Sequence, residues 1–90
     1  MTDTQANLSP GMPGEQATHH RRSTEDLLRS TDANLKLLSN RQLTAEQKIT
    51  IGQIEQFTAA SRAALTAGDL PRARNLALKA HLLSDDLARH

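Results

Sequence analysis

Residues 63–80 read Ala63-Ala64-Leu65-Thr66-Ala67-Gly68-Asp69-Leu70-Pro71-Arg72-Ala73-Arg74-Asn75-Leu76-Ala77-Leu78-Lys79-Ala80. Two runs of strong helix formers meet at a four-residue interruption. Gly68 can take the left-handed conformation that closes a helix. Asp69 is suited to cap the next one. Pro71 then falls in a first turn, where its missing N–H breaks no helical bond. A connection this short makes antiparallel neighbours. The stretch therefore predicts a helical hairpin.

Downstream, the pattern predicts a helix over about 70–88. Leu70, Ala73, Leu76, Ala77, Ala80, Leu83 and Leu87 form its apolar stripe. Leu78 and Leu82 lie off that stripe, one turn apart, so they need a second surface to cover them. Upstream, the second helix is expected over 45–67. Thr44 and Gln47 have capping-box spacing, and Glu46 adds a carboxylate to the first turn. Ile49, Ile51, Ile54, Phe57, Ala60, Ala64 and Leu65 spread over about half of its circumference, enough to meet two neighbours. Lys48, Glu55 and Arg62 recur every seven residues and mark its wet face. Gly52, inside this helix, reads as close packing or plain tolerance rather than as a hinge.

A first helix is expected over 24–39. Ser23 is the candidate N-cap, and Glu25 and Asp26 sit where the helix dipole favours anions. Leu27, Leu28, Thr31, Leu35 and Leu38 fall on one arc. Asn40 is the candidate left-handed stop. Laid against the hairpin, this helix would cover Leu78 and Leu82. The expected fold is an all-α, antiparallel three-helix bundle over residues 23–90. Residues 1–22 are polar, hold Pro10 and Pro13, and show no apolar period, so they read as a disordered arm.

Composition supports a fold of helices alone. The chain has no Val, Tyr or Trp, and residues 23–90 hold thirteen Leu and eleven Ala, whereas strands favour β-branched and aromatic residues. That supply makes one thin core. A foldable part under roughly 70 residues is marginal alone, so a partner or self-association is a live expectation. The net charge of +1, with interspersed signs and a single aromatic residue, argues against a nucleic-acid surface. No apolar run reaches the roughly 18 residues of a membrane span. The first residues lack the apolar region of a signal peptide. Together with the absence of Cys, this favours the cytoplasm.

Residues 60–83 resemble the hairpin of tetratricopeptide-like proteins, through Ala63, Ala64, Gly68, Asp69, Ala73, Leu76, Ala77 and Ala80. They are also similar to helical segments of bacterial envelope-associated proteins. The chain departs from the repeat family in lacking a second copy about 34 residues away. The resemblance implies a protein-interaction role rather than catalysis.

The candidate chemistry is sparse. His19-His20-Arg21-Arg22 could start a metal site, but no third and fourth ligand lies nearby in sequence. His81 and His90 stand alone near the C-terminus. Asp85 and Asp86 are adjacent, so on a helix they point about 100° apart and do not converge as an acid–base pair. No nucleophile elbow, phosphate-binding loop or zinc-protease motif occurs. The chain reads as a non-enzyme without a cofactor, a non-catalytic interaction or scaffolding module that uses Leu78 and Leu82 if they stay exposed. The alternatives are a nucleic-acid or phosphate-binding accessory protein using Arg72, Arg74, Lys79 and Arg21-Arg22, or the C-terminal part of a longer envelope protein.

Overall fold

The computed structural model describes residues 14–89. It contains three helices, α1 (Gly14–Leu38), α2 (Ala45–Ala67) and α3 (Leu70–Arg89), and among the described residues there is no strand. Most of the expected arm, residues 1–13, and His90 lie outside the described residues.

The hairpin turn closes at Gly68 as its sequence implies, whereas Asp69 joins α3 through its backbone and makes no side-chain cap bond among the described residues. Gly68 has φ 81° and donates its N–H toward the carbonyls of Ala64 and Leu65. Asp69 N donates to Ala64 O at 2.9 Å, and Asp69 O accepts from Ala73 N at 3.0 Å. The capping box at the start of α2 is complete. Gln47 N donates to Thr44 Oγ1 at 3.1 Å, and Thr44 N donates to Gln47 Oε1 at 2.8 Å.

Two local expectations are corrected. α1 begins at Gly14, not at Thr24, so residues 14–22 are helix and Ser23 is no N-cap. Ala17, His20, Ser23 and Thr24 carry the covered face through this extension. None of them but Ala17 is apolar, so the face had no hydrophobic signature. Asn40 is not left-handed either, since among the described residues no non-glycine has positive φ. α1 instead ends in a tight turn in which Asn40 N reaches Leu37 O at 3.3 Å and Arg41 N reaches Leu38 O at 3.0 Å.

Cross-helix contacts set the directions. Arg74 Nε donates to Ser23 Oγ, Asn34 Nδ2 to Ser84 Oγ, and Arg41 Nη2 to Ala88 O. Both partner numbers rise together, so α1 and α3 run parallel. α2 is antiparallel to both, through Ser61 with Ala73 and Arg62 with Asp32. The bundle measures 58 × 16 × 15 Å, longer than the roughly 38 Å of a 25-residue helix. The helices are therefore staggered along the long axis.

α3 is the central element. It packs along both α1 and α2, which touch one another only loosely. The two-neighbour role expected for the second helix thus belongs to α3. Its buried seam is Leu70, Ala73, Ala77, Ala80 and Ser84. On α1 the buried residues are Thr24, Leu28, Thr31 and Leu38; on α2 they are Ile54, Thr58, Ser61 and Ala64. On α3 the spacing alternates between three and four, as in coiled-coil seams. Small side chains there let the helix axes approach closely.

Buried hydroxyls need acceptors or donors. Thr24 Oγ1 donates to His20 O at 2.7 Å and Thr31 Oγ1 to Leu27 O at 2.8 Å. Ser61 Oγ crosses to Ala73 O at 2.7 Å. Thr58 Oγ1 is buried with no hydrogen-bond partner among the described residues. Its replacement by Val keeps the shape and removes an unpaired polar atom, which costs roughly 1–3 kcal/mol when buried. Thr58→Val should therefore raise the urea midpoint, with a gain of about 1 kcal/mol.

Gly52 is tolerated rather than required. A Cβ built there meets nothing within 4 Å, and the residue lies inside α2. Close packing is thus not its reason. Gly52→Ala should stabilise the fold by about 1 kcal/mol. In a domain this small that is a rise in Tm of about 4–8 °C, readable in a thermal melt.

Candidate interaction surface

The two off-stripe leucines have different fates. Leu78 is half-buried on the flank of α3 toward α1, one turn beyond Arg74, which α1 holds through Ser23. Leu82 is 58% exposed. The expectation that the first helix covers both is corrected for Leu82. At 100° per residue it lies about 170° from the seam, on the outer face of α3 among Asn75, Lys79 and Asp86. Its sequence position, one turn after Leu78, suggested a common cover; the helical drift of about 40° per four residues carries it out of reach.

Two other large apolar side chains stand out of the bundle, Leu37 at 56% and Ile49 at 63% exposure. Ile49 belongs to the apolar arc expected of the second helix. It sits on the first turns of α2. Leu37 ends α1, Ile49 starts α2 and Leu82 is near the end of α3, so all three cluster toward one end of the long axis.

The structure divides the basic candidates. Arg72 and Arg74 are two residues apart, about 200° around the helix. Arg72 borders a shallow groove with Ala60, Ala63 and Ala67 of α2. Lys79 shares that flank, with Nζ 5.9 Å from the Phe57 ring centroid. Arg74 lies on the opposite flank, its Nε bonded to Ser23 Oγ at 3.2 Å. The three cations therefore do not converge. Arg21 and Arg22 lie on the first part of α1 and are exposed. His19 and His20 meet edge to face at 6.2 Å between ring centroids. Among the described residues no three His, Cys, Asp or Glu side chains gather as a metal-ligand set.

What sequence reasoning missed is the open seam between α1 and α2. A groove of about 470 Å³ there is lined by Leu28, Arg29, Asp32, Arg62 and Leu65, among others. Beyond the Asp32–Arg62 ion pair, at 3.1 Å, it continues for about 370 Å³ past Leu35, Thr58 and Ala59. Leu35 and Leu65 are half-buried in it. The only sequence signal was that Leu28, Leu35 and Leu65 are apolar, which does not say which pair of helices stays apart.

Comparison with family models, curated proteins and solved structures gives no match. No described helix is long and apolar enough to cross a membrane.

Proposed function

We propose that the chain is a non-catalytic helical interaction or scaffolding module. The observation that supports this reading is apolar surface left uncovered on a small bundle: Leu37, Ile49 and Leu82 each more than half exposed, and an open groove flanked by leucines. Large apolar side chains at the surface of a thin-cored protein are where a partner gains most by excluding water. The hairpin's resemblance to tetratricopeptide-like proteins points the same way.

The test is Leu82→Ala. An exposed residue should change stability by no more than about 0.5 kcal/mol on truncation. Capture of a partner by the intact chain from its source cell should weaken by about tenfold, as a contact worth about 1.4 kcal/mol would give. Equal capture by the wild-type and variant chains would remove Leu82 from the reading. Loss of the fold would show that it is a core residue after all.

A further inference from the structure

Among the described residues the seam between α1 and α2 is the most loosely packed of the three, and its α1 rim carries an ordered set of charges. Glu25, Arg29, Asp32 and Lys36 are spaced by four, three and four residues. At 100° per residue they fall within about 60° on the flank of α1 that faces α2. Their signs run minus, plus, minus, plus.

This stripe is antisymmetric about its midpoint, between Ser30 and Thr31. Set against an identical stripe running antiparallel, Glu25 meets Lys36 and Arg29 meets Asp32, each pair occurring twice. All four pairs are of opposite sign. Set parallel and in register, every charge meets its like. An isologous, two-fold contact is the arrangement that such a self-complementary patch favours.

The four charges of the stripe are not paired with one another. Spacing would allow Glu25–Arg29 and Asp32–Lys36 pairs. Instead Arg29 bonds to Asp26 at 2.9 Å and Asp32 to Arg62 at 3.1 Å, both at the surface, where such pairs contribute little and exchange readily. Glu25 and Lys36 have no ion pair among the described residues. Beside the stripe lie the half-buried Leu35 and Leu65, whose full cover would supply the apolar part of an interface.

We propose that a second copy of this chain docks on the α1–α2 groove, α1 against α1 in antiparallel sense, with the two-fold axis near residues 30–31. This rests on the reading of the chain as an interaction module and names one partner for it. Charge pairs at the rim set orientation; the leucines between them supply the burial.

Sedimentation of the full chain over a range of concentrations tests the proposal. The wild type should pass from monomer to dimer. Glu25→Lys and Lys36→Glu each place two like-charge pairs in the interface, so each variant alone should dimerise at least about tenfold more weakly. An equimolar mixture of the two should dimerise like the wild type, because the charge introduced in each copy then faces an opposite charge in the other. The double variant Glu25→Lys/Lys36→Glu should also recover. Circular dichroism of each variant checks that the fold is intact; both residues are exposed. A wild type that stays monomeric at every concentration overturns the proposal, as does a dimer indifferent to both reversals. Neither result touches the capture experiment on Leu82, so failure of this interface and failure of the interaction reading remain distinct.

Discussion

Ile54→Ala should destabilise the fold by about 2–5 kcal/mol, the range for truncating a buried aliphatic side chain to Ala. Ile54 is fully buried, and it and Leu38 are the largest side chains in that state. The other fully buried residues are Ala, Thr and Ser, which cannot shift to fill the space. A domain of this size has only a few kcal/mol of stability to lose. The variant should therefore show a strongly lowered urea midpoint or a largely unfolded spectrum by circular dichroism at 25 °C. A loss below about 1 kcal/mol would mean that the seam collapses around the void.

Enlarging the seam should be as damaging as emptying it. Ala77 is fully buried midway along α3, the helix with neighbours on two sides. Ala77→Leu adds a side chain where the helices meet over Ala and Ser. Overpacking of this kind costs typically about 1–3 kcal/mol, or more where the backbone must move. Leu is a good helix former, so propensity does not explain a loss. A lowered urea midpoint is the expected result. An unchanged one would show that the helices stand further apart than a small-residue seam requires.

How far the sequence reached is clearest residue by residue. Gly68 and the Thr44–Gln47 box were legible because their chemistry is local: one needs a left-handed residue, the other a side chain three positions away. The arc Leu27, Leu28, Thr31, Leu35 and Leu38 was legible because it is mostly apolar and periodic. Ser61 and Ser84 were not, since a hydroxyl counts as polar until its acceptor is known, and that acceptor can lie on another helix, as Ala73 does for Ser61. The start of α1 was hidden for the same reason: Thr24 is buried, yet its bond goes to His20 O one turn back. Of the candidate surface, Leu82 was identified but expected under α1. Arg72, Arg74 and Lys79 were grouped by sequence proximity, from which helical rotation removes Arg74. The α1–α2 groove depends on which pair of helices stays apart, a tertiary fact with no local signature.

The seam of small and hydroxylated residues also governs how the protein responds to temperature. Unfolding raises the heat capacity in proportion to the apolar surface exposed, and exposed polar surface lowers it. Here Thr24, Thr31, Thr58, Ser61 and Ser84 occupy buried positions that most domains give to Leu, Ile or Val. The heat-capacity increment per residue should fall below the common range of about 12–15 cal/mol/K. A smaller increment flattens the curve of stability against temperature. The bundle then gains little from a thick oily core at its optimum, and loses correspondingly little as conditions move to either side of it.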